Sequence, residues 1–376
     1  MTKIQKDNKN VAKVPNLRFT EFTEEWETKK LGEIGEIVNG LTYSPNDIAE
    51  NGVLVLRSSN VQNRSLAFED NVYVRTDNYN PVQENDILIC VRNGSKNLIG
   101  KNALINKENE GIAFGAFMSI YRSSFNRFLF HWFDTNEYKE IVHKNLGATI
   151  NSINGSDLRK FKVPFPSVEE QNKLASFLSR VDERIQTQNK IIEQLETLIK
   201  GICQILILNQ VPNKKINNCV SCYSSSLTES DVIDKNGNHP VYGATGVIAF
   251  TENPQINEDA ILIIKDGSGV GKVQYGSDKF SVIGTLNYLT AKSNINLKYV
   301  FFCLKFFNFD KYKVGSGIPH IYFKDYGESL IFCPSLDEQG NIEELLSLID
   351  EKINIEKTLL KKYEIQKKNL LQNLFI

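Results

Sequence analysis

Two stretches rich in glycine and lysine are the parts of this sequence that most resemble a chemical site. They are Gly94-Ser-Lys-Asn-Leu-Ile-Gly100-Lys101-Asn102 and Gly267-Ser-Gly-Val-Gly271-Lys272-Val273. A phosphate-binding loop has four residues between its first glycine and its Gly-Lys pair, and then a Ser or Thr that binds magnesium. The first stretch has five intervening residues, the second has three, and neither has the Ser or Thr. Both are predicted to be turns after core strands, where backbone amides and a lysine could contact a DNA phosphate.

Other motifs of catalysis are missing from the sequence. No Pro-Pro dipeptide occurs, so the Asn/Asp-Pro-Pro-aromatic loop of an amino-methyltransferase is absent, and no glycine fingerprint follows a first strand to hold a cofactor. No Gly-x-Ser-x-Gly elbow is present either. The four histidines do not cluster with cysteines or carboxylates, and of the six cysteines only Cys219 and Cys222 have CxxC spacing, which alone is weak support for zinc. We therefore predict no catalytic centre, no metal site and reduced thiols.

Polar and basic residues in loops between strands are the candidates for contact with DNA bases. Arg and Lys can pair with guanine, and Asn can pair with adenine, in the major groove. The candidates in the first half of the chain are Arg57, Ser58, Asn60, Arg92, Asn93, Lys96, Asn151 and Ser152. Those in the second half are Tyr242, Thr245, Lys265, Ser268, Lys272, His320 and Tyr322. For each of them, an exposed polar loop position without a function is the alternative.

An internal repeat in the sequence indicates which structural elements position the candidate DNA-contacting residues. Pro166-Ser-Val-Glu-Glu-Gln171 recurs as Pro334-Ser-Leu-Asp-Glu-Gln339, an offset of 168 residues that continues without a gap to the pair Leu206 and Leu374. A Gly-x-x-Ile-x-x-Ile element at 147–153 recurs at 315–321. Internal repeats indicate a duplicated structural unit. The chain is therefore predicted to consist of two similar heads, each followed by a long helix.

The two long helices have defined starts and a continuous apolar seam. Ser167 and Ser335 are each followed three residues later by a glutamate, which predicts a reciprocal capping box. Polar residues interrupt the seam at Gln188, Glu356 and Lys367. Seams of this length favour a coiled coil, with two separate amphipathic surface helices as the alternative. The predicted seam positions are Leu178, Val181, Ile185, Ile192 and Leu195 in the first helix and Leu346, Ile349, Ile353, Leu360 and Leu370 in the second.

The remaining pattern predicts an α+β fold with mixed strands and helices in each head. Short apolar runs bounded by Gly, Asn and Pro indicate strands, and the aromatic stretches 125–142 and 299–312 indicate helices. The predicted strands are 52–57, 71–75, 86–91 and 117–121 in the first head and 240–246 and 259–264 in the second. The predicted organisation is a disordered leader (1–15), a first head (16–165), a first helix (166–210), a second head (211–333) and a second helix (334–376).

Charge and hydropathy restrict the class of protein. The 44 Lys and Arg residues against 45 Asp and Glu residues give a net charge of −1, which is not typical of a free-standing basic DNA binder. The segments outside the helices are slightly basic, as expected for a module that grips a duplex inside a larger assembly. The sequence contains neither a membrane-spanning run nor an apolar signal segment, which predicts a cytoplasmic protein.

The Pro-Ser repeat, its heptad helices and the Gly-x-x-Ile-x-x-Ile elements together resemble the specificity subunit of type I restriction-modification systems. The resemblance runs from Trp26 to the last residue. It implies an antiparallel coiled coil with a target-recognition domain at each end. It further implies that each domain binds one half of a bipartite site in double-stranded DNA, and that the helices set the gap between the halves.

The resemblance also implies the partners and cofactors of the chain. Two modification subunits would dock along the helices and methylate adenine with S-adenosylmethionine. Restriction subunits would add translocation and cleavage that depend on ATP and Mg. The chain itself would bind no cofactor and catalyse nothing. Two alternatives stay open on the residues alone: a coiled-coil scaffold that never touches DNA, and a self-sufficient methyltransferase or nuclease.

Overall fold

The computed structural model describes residues 14–146, 151–232, 237–315 and 317–375. The chain divides into two compact units, one made of 1–187 with 360–376 and the other of 188–359. Each unit therefore contains one head and a segment of each long helix. The leader predicted at 1–15 lies almost wholly outside the described residues, as do part of the first Gly-x-x-Ile-x-x-Ile element (147–150) and one residue of the second (316).

The first head consists of short strands and short helices, as predicted. Its central antiparallel sheet has the order β2-β10-β7-β8, a smaller sheet has the order β6-β3-β9, β1 pairs with β11, and β4 pairs with β5. In chain order the elements are β1 (Glu27–Lys30), α1 (Leu31–Ile34), β2 (Glu36–Asn39), β3 (Ile48–Leu56), β4 (Val61–Gln62), β5 (Ser65–Leu66), β6 (Tyr73–Val74), β7 (Ile87–Cys90), β8 (Asn102–Leu104), β9 (Ala113–Phe114), β10 (Met118–Arg122), α2 (Asn126–Trp132), α3 (Asn136–Lys144), α4 (Gly155–Leu158) and β11 (Lys162–Phe165).

The aromatic stretch 125–142 forms two helices, so the prediction of one helix was wrong. α2 ends at Trp132, and Thr135 starts α3 by accepting a hydrogen bond from the Tyr138 amide at 3.2 Å. The Thr135 hydroxyl also donates to the Trp132 carbonyl at 2.7 Å, which satisfies an acceptor at the end of α2. A hydroxyl that bonds locally to the backbone competes with helix continuation, and this accounts for the break.

The second head repeats the topology of the first. Its central sheet has the order β13-β19-β16-β17, which matches β2-β10-β7-β8, and β12 pairs with β20 as β1 pairs with β11. The parallel pair β14 and β18 matches the parallel pair β3 and β9. The elements are β12 (Lys214–Lys215), α6 (Ile216–Cys219), β13 (Val220–Ser224), β14 (His239–Gly243), β15 (Gly246–Thr251), β16 (Ala260–Ile264), β17 (Val273–Gly276), β18 (Ser281–Val282), β19 (Leu286–Ala291), α7 (Leu297–Lys305), α8 (Phe323–Tyr326) and β20 (Leu330–Ile331). The predicted duplication is therefore confirmed in the order of the strands.

The two long helices begin where the sequence predicts. α5 (Val168–Cys203) continues into a π-helical turn (Gln204–Leu208), and α9 spans Leu336–Leu374. The Ser167 hydroxyl accepts from the Glu170 amide at 3.3 Å, and the Ser335 hydroxyl accepts from the Glu338 amide at 3.4 Å.

The Glu170 side chain departs from the predicted capping box. Its carboxylate accepts two hydrogen bonds from Arg18 at 2.8 and 2.7 Å, and a third from the Trp26 indole at 3.2 Å. The carboxylate therefore fastens the start of the head to the start of α5. The Arg18 guanidinium is the stronger partner, because it is charged and binds with two parallel hydrogen bonds.

Apolar side chains of both long helices enter the core of each unit. In the first unit, Leu174 and Leu178 lie in one core cluster with Leu371 and Leu374. In the second unit, Ile199 lies in a core cluster with Ile342, Leu346 and Ile353. The predicted seam residues Leu178, Ile192, Leu346 and Ile353 are buried, and Val181, Ile185, Leu195, Ile349, Leu360 and Leu370 are half-buried. The helices are thus part of the core of each head.

The polar residues in the helices pair within each unit. In the second unit, the Gln188 amide donates to both the carboxylate and the carbonyl of Glu356, the latter at 3.2 Å. Lys352 and then Gln188 lower the pKa of Glu356 by hydrogen bonding to its carboxylate. A buried polar pair of this kind costs stability but favours one register of the helices.

In the first unit, a charged group that we call the Lys367 cluster joins the head to both helices. It contains Lys367, Asp134, Asp182, Arg64 and His131. The Lys367 ammonium lies 2.7 Å from Asp134 and 2.6 Å from Asp182. Burial raises the pKa of Asp134, but Arg64 and Lys367 together bring it below its ordinary value. Burial lowers the pKa of His131 to about 3, so this ring is neutral and the two carboxylates depend on Lys367 and Arg64.

Replacing Lys367 with Met should destabilise the first unit by about 3 kcal/mol, because it leaves two largely buried carboxylates without one of their cations. The protein has two tryptophans, Trp26 and Trp132, and both lie in the first unit, so tryptophan fluorescence during urea unfolding follows this unit selectively. Lys368→Met changes an exposed neighbour and should shift the free energy by less than about 0.5 kcal/mol. Equal effects of the two substitutions would contradict the assignment.

Candidate nucleic-acid interface

Three loops of the first head meet at one end of its central sheet. They are 91–95, which follows β7, 115–117, which precedes β10, and the described part of the Gly-x-x-Ile-x-x-Ile element, 151–153. A β-bridge pairs Arg92 with Ser152. The backbone bonds that join the loops run from the Val91 and Arg92 amides to the Phe117 carbonyl at 3.0 and 3.1 Å, from the Asn93 amide to the Asn151 carbonyl at 3.2 Å, and from the Ile153 amide to the Val91 carbonyl at 2.9 Å.

The second head forms the same arrangement from the equivalent loops. A β-bridge pairs Asp266 with His320. The Lys265 amide donates to the Thr285 carbonyl at 3.0 Å, and the Gly267 amide donates to the Pro319 carbonyl at 3.0 Å. The pairs Phe117 and Thr285, Asn151 and Pro319, and Ser152 and His320 are each separated by the repeat offset of 168 residues. The two heads therefore present different side chains on one backbone frame.

The first frame brings together most of the candidates predicted in this head. The Asn93 amide donates to the Ser58 hydroxyl at 3.0 Å, and the Asn151 amide donates to the Gly94 carbonyl at 2.9 Å. Arg92 is exposed and its guanidinium lies 5.6 Å from the centre of the Phe117 ring. The cluster therefore combines a cation, amides and a hydroxyl, which are the groups that bind phosphates and base edges. Ser152 is half-buried in this cluster, and Lys96 is exposed in the adjoining turn.

Asn60 is placed differently from the other candidates, because it is 0% exposed. Its side-chain oxygen accepts from the Arg57 amide at 2.9 Å, and its amide donates to the carbonyls of Ala67 at 2.9 Å and Asp70 at 3.4 Å. Asn60 therefore holds the loop that carries Arg57. The half-buried Arg57 side chain forms an ion pair with exposed Asp70 at 2.8 Å.

In the second head, the frame carries a histidine held by a carboxylate. His320 Nδ1 lies 2.8 Å from an Asp266 carboxylate oxygen, and the ring stacks against Tyr322 with centroids 6.5 Å apart. Lys265 is half-buried and Ser268 is exposed on the same loop. The Asp266 carboxylate fixes the orientation of the imidazole, which leaves Nε2 as the ring atom that can meet another molecule.

The other candidates of the second head belong to the adjoining hairpin and turn. Tyr242 lies on β14, where its ring packs on Phe280, and Thr245 is exposed in the turn before β15. The Gln274 amide donates to the Gly243 carbonyl at 3.0 Å, which ties this hairpin to β17. Lys272 is exposed immediately before β17.

Sequence reasoning missed four residues of the candidate interface: Asp70, Phe117, Asp266 and Thr285. Phe117 was interpreted as the first residue of the predicted strand 117–121, yet β10 begins after it and 56% of it is exposed. Its repeat partner is Thr285, and an aromatic residue that aligns with a polar one in the other copy could have indicated a surface position. No pattern in the sequence identified Asp70, because its partner Arg57 lies thirteen residues away and only the fold brings the two together.

Neither a metal centre nor a membrane-crossing segment occurs among the described residues. Within these ranges, no three His, Cys, Asp or Glu side chains lie where they could hold a metal ion together. No helix there has the length and apolar character needed to cross a membrane. The six cysteines are unpaired, and burial raises the pKa of Cys90 to about 11, which keeps that thiol protonated and unreactive.

Two heads with one fold and different loop side chains define a protein built from a duplicated domain. The chain belongs to the family described as the type I restriction modification DNA specificity domain, whose model matches residues 23–197 and 214–364. The two matched ranges correspond to the two copies of the repeat.

Named relatives and a solved structure are consistent with this family. The chain is 25% identical over 398 residues to the putative type I restriction enzyme MjaX specificity subunit of Methanocaldococcus jannaschii, with 93% of both chains covered. It is 25% identical over 202 residues to the type I restriction enzyme EcoKI specificity subunit of Escherichia coli, which covers 51% of this chain and 43% of that protein. The crystal structure of the S subunit from M. genitalium has the same fold, with a TM-score of 0.70 at 19% identity over 96% of this chain and 99% of that one.

Lys272 provides a test of the interface in the second head. If this exposed lysine contacts a DNA phosphate, Lys272→Ala should weaken binding to all sequences about equally and reduce the salt dependence of the affinity by about one phosphate. The measurement is DNA affinity against salt concentration for the chain assembled with its modification subunits. Lys279→Ala is the matched control, because Lys279 lies past the opposite end of β17. An unchanged slope for Lys272→Ala would contradict the contact.

Proposed function

We propose that this chain is the DNA sequence-specificity subunit of a type I restriction-modification complex, and that each head binds one half of a bipartite site. The observation that carries the proposal is the pair of three-loop frames, which have matching backbone bonds but different side chains. A duplicated frame with different side chains suits two different half-sites. Membership in the specificity family supports the same function.

The two long helices are proposed to run antiparallel as a coiled coil that sets the distance between the half-sites. Contacts within each unit support this direction. In the first unit Asp182 contacts Lys367, and the Arg184 guanidinium lies 5.1 Å from the Tyr363 ring. In the second unit Gln188 contacts Glu356. Residue numbers thus rise along one helix as they fall along the other. A helix of about 40 residues is about 60 Å long and spans roughly 18 base pairs.

The chemistry of the complex is proposed to lie on partner subunits. Modification subunits would dock on the helices and transfer methyl groups from S-adenosylmethionine to adenine. Restriction subunits would supply translocation and cleavage with ATP and Mg. Large apolar side chains remain exposed on both helices and suit protein docking. They include Phe177, Leu198 and Ile205 on the first helical stretch and Leu345, Leu348, Ile355 and Ile365 on the second.

A scaffold that joins proteins without binding DNA is the second candidate, and the same exposed apolar residues are what favour it. It does not account for the two matching loop frames, which a scaffold would not need. The family and the names of the relatives also favour DNA recognition over this alternative. Sequence dependence of methylation in the assembled complex separates the two functions, since a scaffold requires none.

Exchange of the first head tests the half-site assignment. Replacing residues 15–165 with the head of another specificity subunit should change one half of the methylated sequence and leave the other half unchanged. Methylated adenines are mapped across the genome of a host that carries the chain with its modification subunit. Exchange of residues 211–333 is the reciprocal control and should change the other half. A change in both halves, or in neither, would contradict the proposal.

Matched deletions in the two helices test whether they set the gap. Removing 185–191 together with 353–359 deletes one heptad at equivalent positions, so the seam stays in phase. The helices become about 10 Å shorter, and the gap should shorten by about three base pairs or methylation should be lost. Removing only 186–189 breaks the phase and should prevent assembly. A functional complex with an unchanged gap would show that the helices do not measure it.

A further inference from the structure

A cavity of about 550 Å³ opens beside the three-loop frame of the first head. We call it the Arg57 cavity. Its apolar wall includes Tyr43 and Phe117, and its polar side consists of Arg57, Ser58 and Asp70. A concave apolar site with a few convergent polar groups is typical of a site that binds a specific chemical group. All of its lining residues belong to the first unit.

Arg57 and Asp70 are fixed relative to each other but remain accessible. The Arg57 Nη2 atom donates to the Asp70 carboxylate at 2.8 Å and to the Asp70 carbonyl at 3.2 Å. Asn60, which is fully buried, accepts from the Arg57 amide and donates to the Asp70 carbonyl. The side chains of Arg57 and Asp70 are nevertheless 33% and 66% exposed. The buried asparagine therefore orients a charged pair that faces solvent.

Both members of the pair have hydrogen-bonding capacity left over. Within the part of the chain that the structure describes, Nη1 of Arg57 and the second carboxylate oxygen of Asp70 have no hydrogen-bond partner, and Nε of Arg57 is buried without one. An exposed ion pair of this kind contributes little to stability. A requirement of folding therefore does not explain the arrangement, and a ligand with an acceptor beside a donor would complete it.

The major-groove edge of a G·C base pair has this pattern. Guanine presents the acceptors N7 and O6, and cytosine presents its N4 amino donor next to them. Nη1 of Arg57 can donate its two hydrogens to N7 and O6 of guanine, and Asp70 can accept from N4 of cytosine. An A·T pair, in either orientation, presents an amino donor between two acceptors, so its amino group would meet the guanidinium.

We propose that Arg57 and Asp70 together recognise one G·C base pair in the half-site bound by the first head. This inference rests on the proposed function and adds the base pair and the side chains that select it. Phe117 and Tyr43 line the cavity beside the pair. Among the described residues of the second head no equivalent pair occurs, because the strand register places Gly243 where the first head has Arg57.

The test is carried out on the chain assembled with its modification subunit. Methylation rates are measured on duplexes in which each position of the first half-site is changed in turn. In the wild type, one G·C position should be required. In Asp70→Asn and in Arg57→Gln, A·T at that position should become acceptable, and discrimination should fall roughly tenfold to hundredfold. The second half-site should keep its base preferences in both variants.

Glu69→Gln is the matched control, because it removes one exposed negative charge next to Asp70 and should change no preference. Tryptophan fluorescence confirms that the first head is folded in each variant. If Arg57→Gln unfolds it, the nearly isosteric Asp70→Asn decides the result.

The two proposals can fail separately. Unchanged base preference in Asp70→Asn, or a wild-type first half-site without a required G·C pair, overturns the inference and leaves the bipartite function intact. Methylation by the wild-type complex without two half-sites overturns the proposed function itself.

Discussion

The first head cannot complete its hydrophobic core from its own residues. Trp26 and Phe128 pack against Phe375, with ring centroids 6.3 and 5.5 Å apart, and Leu371 and Leu374 are buried in the same cluster. Each such side chain contributes about 1.5–3 kcal/mol when it is buried. Docking of the end of α9 therefore contributes to the stability of the head that carries the candidate interface loops.

Charged and polar side chains fix the register of α9 in this apolar contact. Hydrophobic burial alone would allow α9 to slide by seven residues, which is about two turns, because its seam repeats at that interval. The Lys367 ammonium has only one position from which it can neutralise both Asp134 and Asp182, and Gln188 pairs with Glu356 in the second unit. These polar residues interrupt an otherwise apolar seam. Burial of each one is compensated only in the helix register that brings it to its polar partner. The two copies of the repeat differ at this position, because the residue of α5 that is equivalent to Lys367 is the apolar Ile199.

Local signals in the sequence predicted the features that depend on local chemistry. Ser167 and Ser335 start the helices as predicted, and the offset of 168 residues identifies β9 and β10 with β18 and β19 and two of the three equivalent interface loops. The features that were missed depend on contacts between distant residues. Glu170 binds Arg18, which lies 152 residues away, in place of closing a local capping box. Asn60 looks like any polar loop residue, and only the fold shows that it is buried and that it orients Arg57 against Asp70.

The docking of α9 on the first head has a consequence for the order of folding during synthesis. The ribosome produces the first head before the second, but residues 360–375, which complete the core of the first unit, are made after the whole second head. The second unit, residues 188–359, is a single continuous segment and can fold as soon as it emerges. The unit that is translated first therefore completes its core last. Its apolar surface stays exposed until the ribosome has made a segment more than 180 residues downstream of the first residue of α5.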